Sequence, residues 1–354
     1  MPVPEEQDLT CVVHVHSTYS DGTATVPEII AAAAENAVDV VLLTDHDSLE
    51  ARRAGWEGWH DPVLVLIGHE VSPRGGHFLA FGLEEEIEHR GLDEGDICRS
   101  VSERGGFGFA AHPFSEGSRM SRLIGRPHPW SSIADCPDAG IELWSLVTDA
   151  AEGWRNPLEA IAFLRDPRRL LDGPPARHLR EWDHLCRQRR VAAIGGLDAH
   201  QTGIRVADRV LSPFPHRRYF GYLHTHVLCD RPLIGELEHD RPLVYAALRE
   251  GRCYLTLDAF GPARGFHFWA ARDDEMLPMG SEATAGRWSL HARVPRTARL
   301  RIVRDGAAVS EVEDEAIDYV TTTAGVYRVD ARIEAEGRER TWIVSNPIYL
   351  RAES

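Results

Sequence analysis

The sequence predicts an α/β fold, a TIM-sized barrel of parallel strands over residues 1–259, followed by an antiparallel β-sandwich module over residues 260–354. Three observations carry this. Short apolar runs rich in Val, Ile, Leu, Phe and Ala recur through the first 200 residues, each ending in histidine or a carboxylate; such continuous runs fit strands buried on both faces. Helix-like segments separate several of them, and strand followed by helix, repeated, implies a parallel sheet. Beyond about residue 260 the texture changes to short alternating runs, as in an antiparallel sandwich.

The elements follow in order. Run 9–15 leads into His14 and His16. Thr25 and Glu28 then form a capping box, with Pro27 in the opening turn, ahead of a helix over 29–34. Run 38–43 meets Thr44-Asp45-His46, helix 48–56 follows, and run 63–67 meets Gly68-His69-Glu70. His77 opens run 77–81; after helix 94–104, run 107–111 meets His112-Pro113. Helices are expected over 156–171, ended or kinked by Pro167, and over 176–190, before run 191–194 reaches Asp198 and His200. Segment 219–229, helix 241–249 and strand 253–257 would complete the unit. A closed barrel is preferred to an open sheet because it brings all the polar strand ends to one mouth. In the second unit, runs 288–294, 300–303, 319–322, 326–333 and 340–344 read as strands, with Asp305-Gly306 as a hairpin turn. The stretch 115–137, rich in Gly, Pro, Ser and Arg, reads as a lid or binding loop.

Composition removes whole classes of chemistry. All 39 basic residues are arginine. Without lysine there is no Schiff-base nucleophile, Walker loop or lysine-based kinase site. A net charge of −16 disfavours nucleic acid and anionic membranes as partners. The six cysteines are far apart with no CxxC pair, which argues against a zinc knuckle and a disulfide framework. With an acidic N-terminus and no long apolar run, the expectation is a reduced, cytoplasmic protein acting on a small molecule, with homo-oligomer formation left open.

Eighteen histidines leave imidazole and carboxylate chemistry as the theme. His14 and His16, two apart on a strand, share a face and can grip one ion. Asp21 sits in the turn after that strand, and His46, Glu70, His77, His112, Asp198 and His200 follow or open other strands. Any one strand-end histidine is usually a satisfied backbone partner. Nine such residues at one predicted mouth point instead to metal. Nine mixed N and O donors without thiolate exceed the needs of one ion, so two or three divalent ions, Zn, Mn or Fe, are expected, with a carboxylate bridging.

These strings resemble a known family. His14-Val15-His16 running to Asp21-Gly22, Thr44-Asp45-His46-Asp47, Gly68-His69-Glu70, Gly76-His77-Phe78, Ala111-His112-Pro113 and Asp198-Ala199-His200 look like the PHP (polymerase and histidinol phosphatase) superfamily. Within it the chain is most similar to the CehA/McbA-type metallohydrolases, through Ile141-Glu142-Leu143-Trp144, 246–252 and 345–350 as well. The resemblance implies a distorted (β/α)7 barrel with a di- or trinuclear centre. It would place His14, His16, Glu70 and Asp198 on a first ion, Glu70, His77 and His112 on a second, and Asp21, His46 and His200 on a third. Leu197 and Ser145 depart from the family pattern without touching a ligand.

A dinuclear site can lower the pKa of a bound water toward neutrality, hold the bridging hydroxide and clamp phosphoryl oxygens. The leading expectation is therefore a metal-dependent hydrolase, a phosphoesterase on a small anionic substrate, with Glu70 at the reacting centre. Asp45 is expected to orient a ligand histidine, and Arg74, Arg119, Arg122 and Arg126 to grip the anion. A non-heme di-iron oxygenase on the same donors, and an amide, carbamate or carboxyl-ester hydrolase, are the alternatives. His224-Thr225-His226 repeats the HxH spacing but falls inside a segment rather than at its end, and His69 alternates away from Glu70.

Overall fold

A computed structural model describes residues 3–118, 127–131, 133–206 and 209–353. The apolar runs become buried strands that extend into their polar ends. Gln7–Val15, Val40–His46 and Val63–Val71 pair in parallel, with Val12 opposite Val41 and Val41 opposite Val65. Phe107–Ala110, Gly140–Ser145 and Ala193–Gly196 form a second parallel set. Backbone hydrogen bonds from Leu197 to Val13 and from His16 to Ala199 tie the last parallel strand to the first.

The regular strand–helix alternation fails at one place. Phe78–Phe81 runs antiparallel to both its neighbours, Val63–Val71 and Phe107–Ala110. The link 72–77 is too short for a parallel crossover, which takes about a dozen residues. Leu223–Cys229 is also antiparallel, to the first strand and to Cys253–Leu257. Cys253–Leu257 in turn pairs with Arg338–Ser345, so main-chain hydrogen bonding continues from the α/β part into the β-rich C-terminal part.

Local chemistry fixes several helix ends. Val26–Glu35 starts on a complete capping box between Thr25 and Glu28. Pro157–Arg165 stops before Pro167, which opens a 3₁₀ turn. The helix expected over 48–56 shrinks to Glu50–Arg53, which has no side-chain N-cap hydrogen bond. Among the C-terminal strands, the two runs 288–294 and 300–303 are one strand, Trp288–Arg304, whose pairing shifts register between Arg293 and Ala298 around Pro295. Proline cannot donate to the ladder, so it sits at the irregularity that makes one strand read as two. Asp305 and Gly306 both take positive φ, 51° and 89°, the conformation a two-residue hairpin turn needs.

The cysteine reading needs correction. Cys98 and Cys136 are joined by a disulfide that ties helix Glu94–Glu103 to the segment before Gly140–Ser145, while Cys11, Cys186, Cys229 and Cys253 are free and buried. Widely spaced cysteines give no signal of a bond made through tertiary contact, and no disulfide-dense framework accompanies it. Among the described residues, no helix is long and apolar enough to cross a membrane.

Candidate metal centre

The polar strand ends meet. All nine residues singled out in the sequence stand within one connected cluster, organised around Glu70, whose side chain is fully buried. Glu70 Oε2 lies 3.1 Å from His14 Nε2, 3.3 Å from His16 Nε2 and 3.1 Å from His46 Nδ1. Its other oxygen, Oε1, is 2.8 Å from His77 Nδ1 and 3.4 Å from His112 Nε2. Asp198 Oδ1 stands 3.5 Å from His14 Nε2, 3.6 Å from His16 Nε2 and 3.5 Å from His200 Nδ1. Asp21 closes the outer edge, 3.2 Å from His200 Nε2 and 3.7 Å from His46 Nε2.

The first strand delivers its two rings differently from plain alternation. Pairing with Val40–His46 shifts register between Val13 and Val15, and His14 sits at φ 64°. The two rings still converge, with centroids 5.2 Å apart. His112 (φ 29°) and Asp198 (φ 51°) are likewise left-handed. Non-glycine residues rarely adopt such φ values, and strain of this kind concentrates at functional sites.

Electrostatics draws positive charge into the centre. Burial alone would raise the pKa of Glu70, but His14, His77 and His112 outweigh it and hold the carboxyl well below its usual range. Burial pushes the His16 ring down to about 3, with His200 adding to the effect, so it is a neutral donor. His14 is pushed well up: burial opposes this, and Glu142 and Glu70 overcome it. The test of fit for metal is hydrogen bonding. His14 Nε2, His16 Nε2 and Glu70 Oε2 are buried, and the two ring nitrogens stand 3.1 and 3.3 Å from the oxygen, yet none has a hydrogen-bond partner. Unsatisfied buried donors and acceptors cost about 1–3 kcal/mol each. A cation among them satisfies the lone pairs at once, so these residues fit the group the sequence implies.

Other expectations turn out differently. Asp45 orients no histidine: it accepts hydrogen bonds from the Ser17 amide (2.7 Å), the Ser17 hydroxyl (2.7 Å) and the Ser20 hydroxyl (2.6 Å). It thereby fixes the turn that carries Asp21. At a strand end Asp45 and His46 alternate, which turns the carboxylate away from the rings. Arg74 is exposed and does not line the cavity beside the cluster. Arg119, Arg122 and Arg126 lie outside the described residues, as does much of the expected lid loop. His69 indeed stays apart, accepting a hydrogen bond from the Ile87 amide.

Two contributors escaped the sequence reading. Glu142, named there only as part of a motif, is buried; it bonds His14 Nδ1 at 2.9 Å and accepts the His112 amide at 2.7 Å. His128 packs against His77 at a tilt of 36°, with centroids 4.3 Å apart, and lines the cavity, but stands in a segment with no strand pattern to flag it. That cavity, about 490 Å³, has the cluster at its base and an apolar wall of Val147, Ala151, Trp154, Phe214 and Tyr219. A larger cleft of about 730 Å³ opens beside Phe107, Gly140 and Ala192, at or before the starts of their strands. It gathers no comparable donors, so chemistry rather than volume selects the site.

The chain is 27% identical over 118 residues to an uncharacterized protein of Methanocaldococcus jannaschii, covering 29% of this chain and 67% of the relative. It is 38% identical over 80 residues to phosphoribosyl 1,2-cyclic phosphate 1,2-diphosphodiesterase of Eggerthella lenta, covering 21% of this chain and 30% of that enzyme. Among solved structures, a two-domain Bacteroides vulgatus protein described as containing a predicted PHP-like metal-dependent phosphoesterase aligns over 98% of this chain and 97% of its own, at 14% identity and TM-score 0.41. Residues 13–94, the stretch that carries His14, His16, Asp21, His46, Glu70 and His77, match the PHP domain family.

Proposed function

We propose that the chain is a metal-dependent phosphoesterase whose centre holds two or three divalent ions. The observation that carries the reading is the set of buried, hydrogen-bond-orphaned atoms of His14, His16 and Glu70 facing one another. The PHP-domain match over the same residues and the local identity to a phosphodiesterase support it. His14, His16, Glu70 and Asp198 would hold one ion, Glu70, His77 and His112 a second, and Asp21, His46 and His200 a third. His16 stands close enough to His200 (centroids 3.9 Å) to serve either the first or the third. The finer fold reading, a distorted seven-unit barrel of the CehA/McbA type, belongs to the same proposal.

When bound, such ions supply Lewis acidity to water and to phosphoryl oxygens. The chain's own residues do the positioning. Glu70 uses both carboxylate oxygens, one toward each half of the cluster, and so spaces the two halves. Glu142 holds the His14 ring by Nδ1, which leaves Nε2 to face the centre. Thr148 donates to the outer oxygen of Asp198 and keeps the inner one aimed at the rings. The apolar wall limits water around the reacting group.

The test is elemental analysis of protein purified without added metal, followed by turnover of phosphoesters, carboxyl esters and amides with and without oxygen. Metal-dependent phosphate release that ignores oxygen is the expected result. Bound iron with oxygen-dependent turnover, or cleavage of amides and carboxyl esters alone, would overturn it.

A further inference from the structure

The repeated HxH spacing at His224 and His226 is not absorbed by the Glu70 centre. Strand Leu223–Cys229 carries both side chains to Asp258, at the start of the turn after Cys253–Leu257. His224 and His226 are 3% and 0% exposed. Asp258 Oδ2 is 2.9 Å from His224 Nδ1 and 3.3 Å from His226 Nε2.

The outer partners fix which nitrogen carries the proton. His224 Nε2 meets the Phe220 carbonyl, which can only accept, so Nε2 is the N–H. His226 Nδ1 meets Asp8 Oδ1 at 2.7 Å. Asp8 also accepts from the Tyr254 hydroxyl (2.6 Å) and the Gly265 amide (2.7 Å), so it is an ionised acceptor and Nδ1 is the N–H. In neutral rings the remaining nitrogens, His224 Nδ1 and His226 Nε2, then present lone pairs, and both aim at one carboxylate oxygen. Two lone pairs and an anionic oxygen do not stabilise one another; positive charge must sit among them, either as a second proton on His226, whose pKa, against the effect of burial, Asp258 and Asp8 raise to about 9, or as a cation.

We propose that His224, His226 and Asp258 form a second, mononuclear site for a divalent transition ion, separate from the Glu70 centre. The spacing suits it. Metal–ligand bonds of about 2.0 Å in tetrahedral geometry put ligand atoms about 3.3 Å apart, near the 2.9 and 3.3 Å that separate Asp258 Oδ2 from the two rings. Charge suits it as well, since one divalent ion balances Asp8 and Asp258 with both rings neutral. Asp8 plays the outer role common in such sites, a carboxylate holding the far nitrogen of a ligand histidine. A cleft lined by Thr10, Asn36, Asp39 and Arg264 reaches His224 and Asp258 and gives an ion a way in. Two side chains on one strand and one at the turn into the β-rich region suggest a bracing role rather than catalysis.

The test is zinc content of the full chain after equilibration with excess zinc and desalting. The His224→Gln variant is expected to hold one equivalent less than the unmodified chain, with hydrolysis changed by less than about twofold. Equal zinc in the two would overturn the proposal. Should the variant fail to fold, a zinc-edge anomalous map of the unmodified protein decides. A peak bonded to His224 Nδ1 and His226 Nε2 supports the site. Peaks confined to the Glu70 centre overturn it and leave two protonated rings as the source of the positive charge.

Discussion

His14-Val15-His16 and His224-Thr225-His226 share a spacing and a local device, and differ in what surrounds them. In each, one ring is held by Nδ1 against a buried carboxylate, Glu142 for His14 and Asp8 for His226, and turns Nε2 toward a second carboxylate, Glu70 or Asp258. Around Glu70 five imidazoles crowd two oxygens, buried atoms lack partners, and a cavity opens above. Around Asp258 two imidazoles share one oxygen, and every ring nitrogen has a neighbour. The spacing alone therefore says little; the number of donors and their unmet valences separate the two places.

The sharpest way to break that contrast is at the shared carboxylate. Glu70→Gln replaces an ionised oxygen facing the rings with an amide nitrogen. Loss of metal together with a fall in turnover well beyond about 100-fold is expected, since even outer-partner changes cost 10–100-fold. Metal content by elemental analysis and kcat on a phosphoester check it; full metal and full activity would refute the central role of Glu70. Glu142→Gln should come next, a loss of about 10–100-fold in metal affinity, read by chelator competition. The Asp21→Ala change should be milder. Asp21 is exposed at the rim and touches only His46 and His200 in the cluster, so loss of one ion with turnover reduced by less than about tenfold is expected, by metal titration alongside kinetics.

Much of this was legible beforehand, for a physical reason. The candidate ligands His14, His46, His112 and His200 lie at or just past the ends of apolar runs, and strand ends that converge show up in sequence as repeated polar punctuation. The parts that were not legible depend on contacts distant in sequence. Glu142 reads as an ordinary strand residue until His14, 128 positions away, is found on it. The bulge that aims His14 needs a positive φ that no residue type there announces. Cys98 and Cys136 meet through the packing of a helix on a loop, with no spacing motif. Asp45 reads differently in sequence because neighbours on a strand point to opposite faces, and its partners are Ser17 and Ser20 in the turn after the first strand.

The smallest expected effect on hydrolysis is the most informative about the comparison. Asp8→Asn keeps the shape of the group behind His226 and still offers an amide oxygen to Nδ1, but removes the negative charge that makes the ring a better donor. It is the counterpart of Glu142→Gln at the other HxH pair. If the pairs serve different ends, Asp8→Asn lowers zinc retention at the second site by about 10–100-fold, while kcat/KM stays within about twofold of the unmodified chain. With its amide oxygen kept on His226 Nδ1, the side chain presents NH2 where Oδ2 accepted from the buried Tyr254 hydroxyl and the Gly265 amide, and both lose their acceptor. A fall in thermal stability of a few degrees therefore accompanies the change. Were Asp8→Asn to depress hydrolysis as far as Glu142→Gln does, the two pairs would be coupled. The site at Asp258 would then have to be counted as part of the catalytic machinery rather than as a brace beside it.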